Sequence, residues 1–531
     1  MRIRRYSAMA TATALALALA ACSSSSSSGS ANGNSSTSTS AGQLTIAIGA
    51  NPPTLDPAAQ SSSSSMQIEN MIVQELTYVG SSGTVQPLLA TSWKVAPNGL
   101  SWTFNLRSGV KFSDGEPFNA DAVKFSLDRL LNPSTYNADV NVLSVIKSVD
   151  VLSPTQVQID LSSPYAALPA ALSFAAAGIV APKSVTEAPN TMAKVVKPVG
   201  TGPYTLANFT PNSSVTLSAN PSYWGTKPAY QTQVFKIVTD SASQEALLRS
   251  GQAQVITDPE LSDLTALKAD SSYSVTFGDT SYVIQIVINT MSSYAPQLKN
   301  PLVREALNYA VNRNAIISNI LFGAGSLLTG PLSPLEFGAC AAGAPYTYDP
   351  AKAKQLLAQA GATGMTVRMA SSNGRYPGDY QVAQAVAGYL EAVGVKVKLA
   401  NPTDYPTYLA SIFVAPSKAT TDLSLDGWST YFPDASQGLL EFKSNYWPPS
   451  GYNQSYWQNS TYNSLYDQGN TVSSPAARQQ AYCSAQKIVW QAAPSIWLYQ
   501  LRSPLVTAAG ISGITIRSDS EIDTTYAQPH S

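Results

Sequence analysis

The first 42 residues constrain this chain more than any later motif, because they cannot join a folded body. Arg2, Arg4 and Arg5 precede an apolar run from Ala8 to Ala21 that is rich in Ala and Leu. A stable membrane span takes roughly 20 apolar residues, so the run reads as the h-region of a secretory signal. Residues Ser23 to Gly42 are almost all Ser, Thr, Gly, Ala and Asn. Such a stretch buries too little apolar surface to offset its ordering entropy and is expected to be a flexible tether. Folding therefore falls to the residues after it, enough for two or three domains. No later stretch holds about 18 uninterrupted apolar residues, so the body is expected to be soluble.

The signal ends in Leu19-Ala20-Ala21-Cys22. This tetrad resembles a bacterial lipobox, which implies that Cys22 becomes a lipidated N-terminus and ties the chain to the outer face of the cell membrane. Arg4-Arg5 lacks the surroundings of a twin-arginine signal. With Cys22 lipidated, Cys340 and Cys483 remain as an even pair in an oxidising compartment, and a disulfide between them is expected.

Composition excludes several chemistries. His530, next to last, is the single histidine, so no Ser-His-Asp or Cys-His centre and no ordinary zinc site is expected. Gly200-Thr201-Gly202 lacks the third glycine of a phosphate loop and reads as a turn. Ser144-Val145-Ile146-Lys147 and Ser484-Ala485-Gln486-Lys487 match S-x-x-K, and Ser371-Ser372-Asn373 matches S-x-N. Without a K-T-G element they leave a Ser-Lys acyl enzyme of the penicillin-binding type only as an alternative. Net charge moves from −1 to −4 once the three leader arginines are removed, and there is no basic face for nucleic acid. Charged residues are 12 % of the chain, and polarity rests on Ser, Thr, Asn, Gln and 27 Tyr.

Periodicity places the elements. Leu44, Ile46 and Ile48 alternate with Thr45 and Ala47, as in a half-buried strand. Trp102, Phe104 and Leu106 alternate likewise, followed by an Asp114-Gly115 turn. A helix is expected after Asn119, with Val123, Leu127, Leu130 and Leu131 on one face. Asn300-Pro301 and Asp349-Pro350 each place a capping residue before proline at a helix start, and Arg304 is expected in a pair on that helix surface. Val283–Ile288 reads as a buried strand. Strand Thr366–Met369, helix Tyr380–Val393 and strand Val395–Leu399 complete an α/β pattern.

Four stretches in order then resemble one family. The first is Leu88-Leu89-Ala90-Thr91-Ser92-Trp93, followed by Trp102 to Gly115 and Asn119-Ala120-Asp121-Ala122-Val123. The second is Gly200-Thr201-Gly202-Pro203-Tyr204 with Asn220-Pro221-Ser222-Tyr223-Trp224. The third is Val303 to Arg313, and the last is Gly427-Trp428 with Pro433-Asp434, then a helix to Pro494 and Ile496-Trp497-Leu498-Tyr499. Over Leu44 to Val506 the chain resembles the large peptide/nickel-type (family 5) bacterial solute-binding proteins of ABC importers.

The resemblance implies an α/β, two-lobed, periplasmic-binding-protein-like fold of type II in its large peptide-binding class. With the signal over 1–21 and the lipidated Cys22 and tether over 22–42 read from the N-terminal residues, it implies lobe 1 over 43–289 with a subdomain about 82–197, lobe 2 over 290–503, and a return to lobe 1 with the tail over 504–531. The chain is expected to cross near Ile288–Thr290 and return near Leu501–Pro504. The implied activity is binding without catalysis. A monomer without cofactor or metal captures a peptide or peptide-sized solute and hands it to an ABC permease of the cytoplasmic membrane. A ligand sensor of the same fold is an alternative. Thr54, Leu55, Ser372, Asn373, Trp428, Tyr431 and Asp434 are the expected cleft residues. The family's peptide binders carry an Asp three residues after the Trp, paired with the peptide's α-amino group. This chain has Tyr431 there, and a phenol is neutral at pH 7.

Overall fold

A computed structural model of the chain describes residues 41–59, 62–80, 83–133, 142–185, 197–444 and 446–530. The signal, Cys22 and the tether up to residue 40 lie outside the described residues; Ala41 and Gly42, read as the end of the tether, instead open the first strand, where Ala41 pairs with Tyr230 because the adjacent strand supplies backbone partners that composition does not reveal. The chain divides into two compact units, Met1–Thr39 and Ser40–Ser531, the first wholly outside the description. Among the described residues no helix is long and apolar enough to cross a membrane.

The second unit is built on an eleven-stranded sheet. From one edge its order is Lys396–Leu399, Thr366–Ala370, Leu423–Trp428, Tyr273–Ile288, Ser495–Ala508, Val255–Ile256, Ala41–Ile48, Tyr230–Ile237, Ser214–Ala219 and Tyr204–Thr210. Gly325–Ser326 adds to Ser495–Ala508 off this path. The alternating strand at Leu44 proves to be buried on both faces, not half-buried, with Thr45 5 % exposed and Ala47 0 %. It runs parallel between Tyr230–Ile237 and Val255–Ile256. Leu44 and Ile46 pack with Val215, Leu217 and Phe235, while Ala47 faces a second layer of Leu248, Leu264 and Leu267. A parallel strand covered on both faces loses its polar side.

Two long strands carry the sheet from one core to another. Tyr273–Ile288 and Ser495–Ala508 run antiparallel, with a register break over the three residues between Asp279 and Val283 and a smaller shift between Ile284 and Gln285. Before the break, Val275 and Phe277 lie against the Leu264 layer. Beyond it, Ile284, Ile286 and Ile288 join Val303, Leu307 and Val386 in a separate core. The passage between cores thus lies at Asp279–Val283, upstream of the Ile288–Thr290 stretch, and opposite Gln500–Arg502 on the returning strand. The reason is local: a bulged register re-aims a strand, and a regular one does not.

A four-stranded antiparallel sheet, in the order Ala90–Val95, Ser101–Leu106, Gln156–Leu161, Ile146–Ser153, forms a third layer of structure. Helix Ala120–Leu131 covers it, and Trp102, Phe104, Val123, Leu127 and Ile159 share its core. Asn119 Oδ1 accepts from the Ala122 amide at 3.0 Å and starts the helix. Helices Pro301–Ala310 and Pro350–Gln359 begin the same way on Asn300 and Asp349. Arg304 is not on a surface. It is buried and donates to the carbonyls of Leu298, Lys299 and Ala492 at 2.8–2.9 Å. Burial pulls its guanidinium down to about 10, and the three carbonyls supply acceptors that a helix surface would leave to water. Cys340 and Cys483 form a disulfide, Cα–Cα 5.6 Å, which ties a connecting loop to helix Pro475–Ala492.

Candidate functional site

A cavity of about 870 Å³ opens at the end of strand Leu423–Trp428. Its walls come from far-separated stretches, including Phe174 of the third layer, Tyr282 of the crossing strand, and Arg375 to Gln454 beyond it. Ligand cavities favour such meeting points, beyond the carboxyl ends of strands. A second space of about 950 Å³ shares Ser63, Tyr282, Arg375 and Tyr376 with it, so the cleft continues past Tyr376.

Strand Leu423–Trp428 pairs antiparallel with Val283–Ile288, which sets Asp426 opposite Gln285 and Trp428 opposite Val283. Gly427 lies between them because nothing larger fits. A Cβ there would sit 2.7 Å from the Tyr376 ring and 2.7 Å from Ile284 Cδ1. The ring fills that space and its hydroxyl donates to Asp426 Oδ1 at 3.2 Å and the Gly427 carbonyl at 3.1 Å. Asp426, 8 % exposed, also accepts from the Gly427 amide at 2.9 Å and from Gln454 Nε2 at 2.6 Å. Burial pushes its carboxyl above the ordinary range, and the Gln454 hydrogen bond pulls against that rise.

Aromatic rings supply most of the remaining wall. Trp428 lies 5.2 Å from Tyr452 between centroids, and Tyr452 in turn meets Phe413 and Tyr446. Tyr431 packs on Phe174 at 5.1 Å. The Arg375 guanidinium lies 5.0 Å from the Tyr405 ring centroid and, among the described residues, makes no ion pair. The arrangement suits a ligand with flat or apolar parts and a few polar groups.

Of the residues expected in the cleft, the cavity holds Trp428 and Tyr431. Thr54 and Leu55 lie elsewhere. Leu55 is core beneath the first strand, and the Thr54 carbonyl accepts from Ser65 Oγ at 2.6 Å. Ser372 is buried and donates to Asp379 at 2.8 Å, where it braces the start of helix Asp379–Ala392. Asn373 is exposed on the outer side, its amide donating to the Thr403 carbonyl at 3.1 Å. The same loop reaches the cavity two residues later, with Arg375 and Tyr376. Asp434 points inward instead. It is 1 % exposed, pairs with Arg478 at 2.8 and 2.9 Å, and caps Ala435–Gly438 through the Ser436 amide. A carboxylate just after Pro433 is positioned to cap, and a buried arginine then holds it.

Asp426 was missed, although it carried a signal. A charged residue inside an apolar strand is costly and calls for an explanation. Tyr452 and Gln454 carried none, since they sit in an aperiodic stretch before helix Ser460–Thr471.

Comparison with known proteins places this geometry. Residues 84–449 match the family described as bacterial extracellular solute-binding proteins, family 5 Middle. The chain is 30 % identical over 485 residues to the glutathione-binding protein GsiB of Salmonella typhimurium, across 90 % of this chain and 93 % of that protein. Its fold is similar to the ABC transporter substrate-binding protein CtaP of Listeria monocytogenes, with a TM-score of 0.82 at 20 % identity over 93 % of this chain and 100 % of that one. It is also similar to AgaA of A. tumefaciens R10, solved with agropinic acid, with a TM-score of 0.72 at 26 % identity over 92 % and 99 % of the two chains.

Proposed function

This chain belongs to the bacterial extracellular solute-binding proteins of family 5, which are binding proteins and not enzymes, and on that premise we propose that it captures a peptide or peptide-sized polar solute for an ABC importer. The observation that carries the reading is the cavity of about 870 Å³, walled by aromatic rings from both sides of the crossing strands. Its size is that of a small-molecule or short-peptide site. A relative named for glutathione and a structural neighbour solved with agropinic acid both support a peptide-sized, polar occupant. Capture closes the cleft by a hinge at Asp279–Val283 and Gln500–Arg502, where the register break lets both strands bend. Ligand drives closure only by its differential affinity for the closed form. In this reading the boundary between the lobes lies at the register break, upstream of residue 289.

Native mass spectrometry of the purified protein tests this directly. A retained small solute is expected, released on denaturation, and Trp428→Ala or Tyr431→Ala is expected to weaken its calorimetric affinity at least tenfold. Absence of any bound or retained solute refutes the reading, and unchanged affinity in both variants refutes the site. We further propose that Cys22 carries the lipid anchor. Cys22→Ser is then expected to move the protein from the detergent phase to the aqueous phase in a Triton X-114 partition, and an unchanged partition removes the anchor.

A further inference from the structure

Four carboxylates line the cavity among the described residues: Asp426, Asp467, Asp519 and Glu521. Asp467 pairs with Lys443 at 2.6 Å and Asp519 with Arg517 at 3.1 Å. Glu521 feels that same Arg517. Asp426 has no cation within ion-pair distance among the described residues. Arg375, a cation of the same wall, stacks on the Tyr376 and Tyr405 rings and acts on Asp426 through its field without pairing with it. A buried carboxylate without a contacting counter-charge is costly, and such sites are kept where something repays them.

The surroundings describe what would repay this one. Three donors reach Asp426, namely the Gly427 amide, Gln454 Nε2 and the Tyr376 hydroxyl. A carboxylate offers about four acceptor positions, so one is left over. Gln454 spends its amide nitrogen on Asp426, and its own Oε1 is a buried acceptor without a partner. Beside Asp426 the wall therefore offers spare acceptor positions, while Trp428 Nε1 is a buried donor without a partner among the described residues of the same wall. Trp428, Tyr452 and Phe413 stand beside it, and aromatic faces attract cations through their negative quadrupole. At Asp426 a negative charge, the spare acceptors of Asp426 and Gln454, and the faces of Trp428 and Tyr452 meet at one place in the wall.

We propose that Asp426 binds a cationic nitrogen of the captured solute, an ammonium or guanidinium group, with Trp428 and Tyr452 against its flank. This rests on the solute-binding reading above and names the substrate class for that same cavity. It also accounts for Tyr431. The position where the family's peptide binders carry an amine-pairing carboxylate is a phenol here, and the negative charge enters the cavity three residues before Ser429 instead. The ligand's amine would then lie beside the last residues of strand Leu423–Trp428, before the loop that carries Tyr431.

The test is isothermal titration of the mature protein with Ala-Phe, agmatine and putrescine, set against N-acetyl-Ala-Phe and N-acetylputrescine, alongside native mass spectrometry of the solute it retains. At least one free cation is expected to bind, its acetylated counterpart at least tenfold more weakly. Asp426→Asn is expected to abolish that preference and Asp426→Glu to keep part of it. The wild-type comparison holds even where a variant fails to fold. Equal binding of free and acetylated probes overturns the proposal, as does full preference in Asp426→Asn, or a retained solute without a basic nitrogen. A neutral solute that is lost in Trp428→Ala but unaffected by Asp426→Asn overturns the cationic ligand and leaves the solute-binding reading standing. No bound or retained solute of any kind overturns both.

Discussion

Asp434→Ala separates a structural carboxylate from a ligand-binding one. Both Asp434 oxygens face Arg478 Nη2 at 2.8 and 2.9 Å, and the side chains are only 2 % and 9 % exposed. Removing one member of a buried pair leaves the other charge unpaired and costs about 3–5 kcal/mol. About 1 kcal/mol of that is the lost cap on Ala435–Gly438. Unfolding entropy near 2.1 cal/mol/K per residue, over roughly 490 residues, gives about 1 kcal/mol/K. The melting temperature is therefore expected to fall about 3–5 °C if the body unfolds as one unit, and about twice that if the lobe melts alone. Urea and thermal unfolding followed by circular dichroism measure the loss. The double variant Asp434→Ala/Arg478→Met is expected to cost less than the sum of the single variants, because it leaves no unpaired charge. Stability within about 0.5 kcal/mol of wild type, combined with abolished solute binding, would put Asp434 in the ligand site and refute the reasoning.

Three further outcomes follow from the geometry. Cys340→Ser/Cys483→Ser opens a loop of 143 residues and is expected to lower unfolding stability by about 2–5 kcal/mol; equal denaturation midpoints with and without reductant would contradict it. Gly427→Ala drives a methyl into the Tyr376 ring, so a loss of about 1–3 kcal/mol in stability and at least a tenfold loss in solute affinity are expected by denaturation and calorimetry; wild-type values for both would show that the ring gives way freely. Burial raises the Glu75 carboxyl from 4.5 to about 8, with Arg517 opposing the rise. The folded state then holds the proton longer than the unfolded one. Its contribution is complete below pH 4.5 and is lost as pH rises toward about 8, at up to about 1.4 kcal/mol per pH unit. Glu75→Gln is expected to flatten that slope in urea titrations between pH 5 and 8, and parallel slopes would remove Glu75 as its source.

The elements legible from sequence were those whose cause lies within a few residues. Asn119, Asn300 and Asp349 cap their helices because the amides they satisfy are two or three positions away. Period two marked Ser101–Leu106 because alternation is a property of the strand itself. The same pattern misled at Thr45 and Ala47, since a second covering layer is supplied by distant chain. Arg304 misled for a like reason: its acceptor on Ala492 is 188 residues away.

The cavity shows the division most sharply. The sequence, through its resemblance to the family, pointed to the Gly427-Trp428 strand end, which lines the cavity, and to Tyr431 at the position where the family's peptide binders carry a carboxylate. Which aspartate is charged to the cavity was decided by tertiary structure alone. Asp426 meets Tyr376 and Gln454, which are 50 and 28 positions away, while Asp434 meets Arg478, 44 positions away. A carboxylate's role depends on what surrounds it within a few ångströms, and no pattern along the chain specifies partners brought together only when the sheet and its covering helices pack.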